Sequence, residues 1–464
     1  MSEIKKNIQC AIDKAHKVQP HLNAMVTFCD VDEQLDNLKN VDSNAKLYGM
    51  PIVLKDNVST KGIRTTASSK ILDNYVPVYD AHIVELLQKA GAIVIGKSSL
   101  DELGMGGTNL SAYTGAVCNP YDLSRISGGS SGGSAVLVAS GVVPMAIGSD
   151  TGDSVRKPAS FNQIIGVKPT YGRISRYGVI PYASSLDHVG YFTRNIMDAA
   201  LTLEVLAGRD DRDMTSSYRE VENYSEKVTG DVKGMKVAVL KNIARLIDND
   251  ELQSGFDKLV NGLKSKGAIV EEVEMKQELL QACLAVYFII SNCEASANHA
   301  NLDGIRFGVQ LGEDSYEDIM KSSRTQGFSK LIRKRFVIGA YGLFEENQDE
   351  LLKKAQKIRR LIVEDMRRIF KDYDAIMAPA SLKGAPKIDE AHDEISIEHM
   401  IAESYMCMAN FSGDPSMTLP MCIVDRMPVG VNITCNLFEE TKMLNLGKGI
   451  EDVTGLKDCI KEVK

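Results

Sequence analysis

The sequence contains nine cysteines, but none of them has the C-x-x-C spacing that marks many zinc and redox sites. They are scattered along the chain and their number is odd, so they do not indicate a disulfide framework. This usage predicts reduced thiols in a cytoplasmic protein without structural zinc. The nine residues are Cys10, Cys29, Cys118, Cys283, Cys293, Cys407, Cys422, Cys435 and Cys459.

The chain also lacks a long apolar run and an excess of basic residues. No stretch approaches the roughly 18 consecutive apolar residues that a membrane-spanning helix requires. The N-terminus is polar and continues into a mixed helical pattern. A protein that binds nucleic acid by itself usually has an excess of basic residues, whereas the formal net charge of this chain is −8. We therefore expect a soluble, unprocessed protein that would depend on a partner to hold any RNA.

The length and composition are those of a protein with a large core, since 44% of the 464 residues are hydrophobic. Length alone would allow two or three domains. Residues 236–240, 252–266 and 268–270 predict a strand, a helix and a strand, an alternation typical of an α/β fold with a mostly parallel sheet. Further strands are predicted at 92–95, 373–379, 416–424 and 429–435, and helices at 3–40, 80–90, 347–370 and 397–410.

Residues 127–158 contain two turns rich in glycine and serine, separated by apolar sequence. The first turn, 128–134, is followed at once by the apolar runs 135–139 and 142–147, which predict a short helix and a strand. A flexible linker would not be followed by sequence that needs a core. The second turn, 148–158, lies at the predicted end of the strand, where nucleophiles and oxyanion donors are commonly found. The chemistry is therefore predicted here.

Two motifs match known signatures only by their letters. Residues 91–98, GAIVIGKS, fit the phosphate-binding loop pattern, but the four middle residues are themselves a predicted strand and a helix precedes them. Residues 128–132, GGSSG, fit the nucleophile elbow of α/β-hydrolases, but residues 119–125 upstream are predicted to be a loop. Among the seven histidines, His188 and His299 are in settings that do not mark them as catalytic. We reject both motifs.

Several longer segments carry a family resemblance. Ser130 and Ser154 lie in the two turns, and Lys55 ends an apolar run in the upstream segment GMPIVLKDN at 49–57. Downstream are GVKPTYGRISRYG at 166–178, SSLD at 184–187, EASAN at 294–298 and DGIR at 303–306. Together these segments resemble the amidase signature family, from about residue 22 to about residue 447.

The resemblance implies the architecture. It indicates an α/β amidase signature fold with a large mixed, mostly parallel central sheet covered by helices on both faces. It also implies a single domain over residues 1–464, with an N-terminal helical segment at about 1–45, a catalytic core at about 46–195 and the remainder of the core with a substrate pocket at about 196–450.

The resemblance also implies a catalytic triad. Ser154 would be the nucleophile, Ser130 the cis-serine that relays its proton, and Lys55 the base. Burial at the end of an apolar run would lower the pKa of Lys55 towards that of a usable base. The mechanism needs no metal. Backbone N–H groups of four residues would hold the oxyanion, namely Thr151, Gly152, Asp153 and Ser154.

Within the family, the chain is similar to the glutamine-hydrolysing subunits of tRNA-dependent amidotransferases. This similarity implies that Arg335 binds the α-carboxylate of glutamine and Glu403 its α-amino group, with Tyr287 nearby. It implies a heterotrimer with a small linker subunit and a tRNA-binding kinase and transamidase subunit. ATP and Mg²⁺ would belong to the partner, and this chain would hold no cofactor. The tRNA would be Glu-tRNA(Gln) or Asp-tRNA(Asn).

Two positions differ from the family pattern. Asp153 replaces a glycine directly before the nucleophile, and Glu403 replaces an aspartate. We expect the Asp153 carboxylate to turn away from the oxyanion and pair with Arg156 or Lys157. Two other functions stay open at the level of sequence: a stand-alone amidase for small amides, and a catalytically silent scaffold subunit.

Overall fold

The computed structural model describes residues 1–313, 315–391 and 404–463. Thirteen strands lie in these ranges. They are β1 (Met25–Phe28), β2 (Pro51–Lys55), β3 (Ile93–Ser98), β4 (Cys118–Asn119), β5 (Asp122–Ile126), β6 (Met145–Asp150), β7 (Ile165–Lys168), β8 (His188–Thr193), β9 (Lys236–Leu240), β10 (Ile269–Val273), β11 (Ala375–Pro379), β12 (Ser416–Val424) and β13 (Met427–Cys435).

The same ranges contain sixteen α-helices. They are α1 (Ser2–Leu22), α2 (Asp32–Asn37), α3 (His82–Lys89), α4 (Gly132–Ala139), α5 (Arg156–Phe161), α6 (Ile196–Leu206), α7 (Tyr224–Lys227), α8 (Lys241–Ala244), α9 (Asp250–Ser265), α10 (Gln277–Asn298), α11 (Tyr316–Gly327), α12 (Lys330–Leu343), α13 (Glu345–Gln348), α14 (Leu352–Ile369), α15 (Met408–Ser412) and α16 (Glu440–Thr454). Short 3₁₀ turns lie at Leu38–Asn40, Lys70–Leu72, Glu102–Gly104 and Tyr405–Cys407.

Eleven of the described strands form one sheet, in the order β1-β3-β2-β6-β8-β7-β12-β13-β11-β9-β10. Alternate residues of a strand point to opposite sides of the sheet, and in this sheet both sides pack against helices. In β2, Ile52 and Leu54 join one apolar cluster while Val53 joins another. The first cluster packs under α3, α6, α9 and α16, and the opposite face is covered by α1, α4, α10, α12 and α14. The predicted helix layers on both faces are confirmed.

The sheet is mixed, as predicted, but the prediction that it is mostly parallel is wrong. Within this sheet the described strands form ten neighbouring pairs, of which four are parallel and six are antiparallel. The parallel pairs lie near the two ends, where helices connect the strands. At the centre, β12 and β13 form a hairpin whose turn residues Asp425 and Arg426 both have positive φ. Such turns most often carry Asn-Gly, Asp-Gly or Gly-Gly, and Arg426 stands here where glycine is usual, so the usual sequence signal of a hairpin is incomplete.

Several element predictions are confirmed and others are corrected. Residues 3–40 are predicted to be one helical segment, yet β1 interrupts it after α1. Residues 119–125 are predicted to be a loop, but β4 and β5 form a small two-stranded sheet there. The predicted helix at 397–410 lies largely outside the described residues. In its described part, a 3₁₀ turn leads into α15.

Helix α10 is the one helix in the described ranges that is long and apolar enough to cross a membrane by length and composition. Half of its most apolar stretch is buried, and it packs against α12 and α14. Buried residues such as Cys283, Val286 and Ile290 lie in the core that these helices share. This packing is that of a core helix.

The parallel pair β2 and β6 brings two sequence segments to one edge of the sheet. Strand β2 ends at Lys55 and β6 ends at Asp150, and parallel neighbours end at the same edge. The turn that carries Ser130 packs against this edge because α4 lies against β2 and β6. The fold therefore brings both glycine-rich turns and the lysine segment together.

Candidate active site

Lys55 is fully buried and contacts two of the serines of the first turn, Ser130 and Ser131. Its Nζ donates to Ser130 Oγ at 2.8 Å, to Ser131 Oγ at 2.8 Å and to the carbonyl oxygen of Ser149 at 3.3 Å. Burial lowers the pKa of Lys55 to about 7, against the opposing effect of Asp101. A lysine with such a pKa is substantially neutral near pH 7 and can accept a proton.

The first turn contains four glycines, and three of them show why this residue is needed there. The peptide bond between Gly129 and Ser130 is cis. A Cβ on Gly129 would collide with Asp101 Oδ2, and one on Gly133 would lie 2.5 Å from a backbone oxygen. Gly128 has φ of +76°, a conformation that favours glycine. These glycines therefore allow close packing around Ser130, which is buried.

The second turn is held at both ends by Asp150 and Arg156. Asp150 accepts from the backbone N–H of Val155 at 2.9 Å, and Arg156 donates to both carboxylate oxygens of Asp150 at 2.9 and 3.2 Å. Arg156 also donates to the carbonyl oxygen of Gly152 at 2.7 Å. Although burial opposes it, Arg156 holds the pKa of Asp150 below its ordinary value. These contacts fix the loop that carries Ser154.

The first of the two partners predicted for Asp153 is wrong, because the buried Arg156 side chain pairs with Asp150 instead. The reason is geometric: Arg156 begins α5 and points under the turn, towards Asp150 and Asn410. The alternative partner, Lys157, donates its Nζ to the carbonyl oxygen of Ala380 at 3.1 Å. Pairing of Asp153 with Lys157 stays a prediction.

The two turns touch each other directly. The backbone N–H of Ser131 donates to the carbonyl oxygen of Ser154 at 3.2 Å, and Ser154 is 3% exposed. Thr151 donates its hydroxyl to Asp187 at 2.7 Å, which ties the second turn to the segment before β8. The predicted oxyanion residues 151–154 thus form the connection between β6 and α5, beside the predicted triad.

Two of the three predicted substrate residues lie near the second turn. A Cβ on Gly152 would meet the Tyr287 ring at 2.9 Å, so this phenol packs on the turn itself. Arg335 donates from Nη1 to the Tyr182 hydroxyl at 3.0 Å and lies over the Phe288 ring at 5.1 Å. The rings of Tyr182 and Tyr287 meet edge to face, 6.5 Å apart. Glu403, the third predicted residue, lies outside the described residues.

Several residues of this site are not predicted from the sequence. Ser131 shares Lys55 with Ser130, and the backbone N–H of Asp101 donates to the carbonyl oxygen of Ser130. Tyr182 accepts from Arg335, and Asp187 accepts from Thr151. The one available signal is the segment SSLD, which contains Asp187 and follows Tyr182 closely. A cavity of about 310 Å³ borders Ser149, Thr151 and Tyr182.

The rejected motifs have structural roles instead. Residues 93–98 form strand β3, so the glycines of GAIVIGKS do not build a phosphate-binding loop. Lys97 is buried, and its Nζ lies 3.8 Å from Asp56 Oδ1. The same Nζ donates to the hydroxyls of Thr60 and Thr65. His188 and His299 are both buried, and burial lowers the pKa of each below the usual histidine value. Within the described ranges, no cluster of three or more His, Cys, Asp or Glu residues could hold a metal.

Comparison with known proteins places the chain in a family. The amidase family model matches residues 6–444. The A subunit of glutamyl-tRNA(Gln) amidotransferase from Pediococcus pentosaceus is 41% identical over 417 residues, which cover 90% of this chain and 85% of the relative. The protein of the same name from Geobacillus sp. is 41% identical over 436 residues, or 93% of this chain and 88% of the relative.

Solved structures agree with the sequence relatives. The crystal structure of the A subunit of glutamyl-tRNA(Gln) amidotransferase from Thermotoga maritima superposes with a TM-score of 0.84 and 33% identity, covering 100% of this chain and 95% of that one. The peptide amidase of Stenotrophomonas maltophilia superposes with a TM-score of 0.85 and 26% identity, covering 99% and 95%. The family predicted from the segments around Lys55, Ser130 and Ser154 is confirmed, and this chain belongs to the amidase family.

Proposed function

We propose that this chain hydrolyses glutamine and supplies the ammonia to a partner subunit, which amidates Glu-tRNA(Gln) or Asp-tRNA(Asn). The observation that carries the proposal is the contact of buried Lys55 with Ser130, beside the turn of Ser154. Relatives at about 40% identity that are named as A subunits of glutamyl-tRNA(Gln) amidotransferase support the choice of substrate.

The proposed reaction is acyl transfer through a serine ester. Neutral Lys55 accepts a proton from Ser130, Ser130 accepts one from Ser154, and Ser154 Oγ attacks the side-chain carbonyl of glutamine. The same relay returns a proton to the leaving nitrogen, and ammonia departs. Water then attacks the ester carbonyl while the relay takes a proton from it. The bond to Ser154 Oγ breaks, the relay returns that proton to Ser154, and glutamate is released. Backbone N–H groups of residues 151–154 hold the oxyanion, where one donor is typically worth about 3 kcal/mol.

The proposed glutamine pocket uses charges of both signs. Arg335 pairs with the α-carboxylate, and its contact with the Tyr182 hydroxyl holds the guanidinium beside the Tyr287 ring. The α-amino group needs an anion, and Glu403 is the residue we assign to it. Tyr287 packs between this pocket and Gly152. A substrate without these charges would lose its contacts with Arg335 and Glu403, but Ser154 could still attack it through the same relay.

In the proposed assembly this chain holds no cofactor. The kinase and transamidase partner binds the tRNA together with ATP and Mg²⁺, and a small subunit links the two. The net charge of −8 agrees with a chain that leaves the tRNA to its partner. Purification of the chain from its native cell, followed by identification of the associated proteins, tests this composition.

The activity is tested by ammonia release from glutamine and from an uncharged primary amide such as butyramide. We expect a much higher kcat/KM for glutamine, and no release from either substrate by the Ser154→Ala variant. A preference for butyramide would instead support a stand-alone amidase, a function favoured by the similarity to the peptide amidase. Absence of release from both substrates, in a preparation that retains its associated proteins, would support a silent scaffold.

A further inference from the structure

Glu102 is a buried carboxylate to which the relay assigns no role. It is 2% exposed and lies in the segment between β3 and the first turn. Oε1 accepts a hydrogen bond from the Ser69 hydroxyl at 2.6 Å. The two carboxylate oxygens also accept from the backbone N–H of Ser329, at 3.4 and 3.2 Å. Burying a carboxylate without hydrogen-bond partners costs folding free energy. The partners of Glu102 therefore indicate what its side chain does.

Ser329 is the residue that caps the N-terminus of α12, the helix of Arg335. Its side chain accepts from the backbone N–H of Ile332. The first turn of α12 contains no acidic residue of its own, and Lys330 begins it. The N-terminus of a helix carries partial positive charge that a carboxylate stabilises. Glu102 supplies that carboxylate from a segment 227 residues away in sequence.

The neighbouring residue Asp101 holds the opposite side of the site. Its backbone N–H donates to the carbonyl oxygen of Ser130 at 3.1 Å, and its Oδ2 accepts from the backbone N–H of Asn109 at 2.8 Å. A Cβ on Gly129 would collide with the same carboxylate. Two consecutive acidic residues therefore join two parts of the site, Asp101 at the turn of Ser130 and Glu102 at the start of α12.

The position of Arg335 on α12 makes the contact between Glu102 and Ser329 relevant to substrate binding. Arg335 lies six residues after Ser329, or about 9 Å along the helix axis. A shift of the helix start would move the guanidinium relative to Ser130, and a misplacement of about 1 Å can cost about 100-fold in rate. The Tyr182 hydroxyl steadies the far end of the Arg335 side chain, but Glu102 holds the backbone from which that side chain extends.

We propose that Glu102 is a positioning residue that fixes the Arg335 helix relative to the Ser130 turn, and so sets the preference for a substrate that carries a carboxylate. This inference rests on the proposed glutaminase function. Glu102 does not touch the reacting atoms; it acts through the helix. Its loss should therefore weaken glutamine binding more than the hydrolysis of an amide that does not use Arg335.

The test measures KM and kcat of the Glu102→Ala and Glu102→Gln variants, each purified as the full chain with its associated proteins. For Glu102→Ala we expect the glutamine KM to rise about tenfold, as for a lost hydrogen bond to a charged group, with a smaller change in kcat/KM on butyramide. Glu102→Gln keeps one acceptor oxygen and should raise the glutamine KM less than Glu102→Ala does. It also allows the same measurement if the alanine variant fails to fold. Equal losses on both substrates in both variants would overturn the proposal.

A second variant separates positioning from simple helix stabilisation. Lys330→Glu places an acidic residue in the exposed first turn of α12 without restoring the connection to the Ser130 segment. Combined with Glu102→Ala, it should leave the glutamine KM raised, with Lys330→Glu alone as the control. Recovery of the wild-type KM in the double variant would overturn the positioning role. If the wild type hydrolyses butyramide but not glutamine, the proposed function and this inference both fail.

Discussion

Lys55 Nζ and Ser130 Oγ lie 2.8 Å apart, although the two residues are separated by 75 positions in sequence. The contact is buried and forms where β2 ends beside the first glycine-rich turn. Ser131 shares the same Nζ, at the same distance. A lysine in this setting can either accept a proton or supply a fixed positive charge, and the two roles predict different behaviour on substitution.

Lys55→Arg should be nearly as damaging as Lys55→Ala. A guanidinium keeps its proton at any working pH and cannot act as a base, although it retains the charge. Loss of the general base should lower kcat by about 100- to 10,000-fold. Initial rates of glutamine hydrolysis check this, with circular dichroism to confirm folding. Substantial activity in the arginine variant would mean that Lys55 only supplies charge.

The rate should rise with pH through about 7 and level off above it. Burial lowers the pKa of Lys55 to about 7, and the form that acts as base is the neutral one, which accumulates above that pH. The profile of kcat/KM against pH measures this. Burial also lowers the pKa of Lys168 to about 7, so Lys168→Met is the matched control and should keep the same midpoint. A rate that falls as pH rises through 7 would contradict the assignment.

Arg335→Ala should raise the glutamine KM and lower kcat/KM, while butyramide hydrolysis should change little. A carboxylate that loses its partner in a desolvated site costs about 2 to 5 kcal/mol. Tyr182→Phe, which removes only the hydroxyl that accepts from Arg335, should have a smaller effect in the same direction. Steady-state kinetics on both substrates decide the matter, since parallel losses would indicate that Arg335 is structural.

Asp153→Gly and Asp153→Asn should both fold and remain active, with kcat changed by about tenfold at most, or about 1.4 kcal/mol. The backbone N–H that we assign to the oxyanion persists in either variant. Asp150 and Arg156 hold the turn through contacts that neither substitution touches. Measured kcat values test this. A hundredfold loss in both variants would make Asp153 a catalytic or substrate-binding carboxylate.

Periodic patterns and long motifs in the sequence predict the elements that bear them. The apolar runs after the first turn form α4 and lead into β6, and the alternation at 236–270 forms β9, α9 and β10. The place of Lys55 after Ile52-Val53-Leu54 predicts partial burial, and the side chain is fully buried. Local order along the chain is enough for such predictions, because each depends on neighbours in sequence.

The features that the sequence does not predict depend on contacts between distant segments. The antiparallel pairing of β7 with β12 near the centre of the sheet places Lys168 opposite Ser416, and no local pattern encodes it. Proximity in sequence pairs Arg156 with Asp153, whereas the fold offers it Asp150, Asn410 and the Gly152 carbonyl. Glu102 gains its role from Ser329, 227 residues downstream, and Tyr182 gains its role from Arg335, 153 residues downstream.

The role of Ser154 as the nucleophile is tested most directly by trapping the covalent intermediate. The full chain and its associated proteins are mixed with isotopically labelled glutamine and quenched in acid within one turnover, and the modified peptide is mapped by mass spectrometry. We expect a labelled γ-glutamyl ester on Ser154. The Ser154→Ala variant should show neither the label nor glutamine hydrolysis. A label on Ser130, or continued hydrolysis by Ser154→Ala, would contradict this assignment.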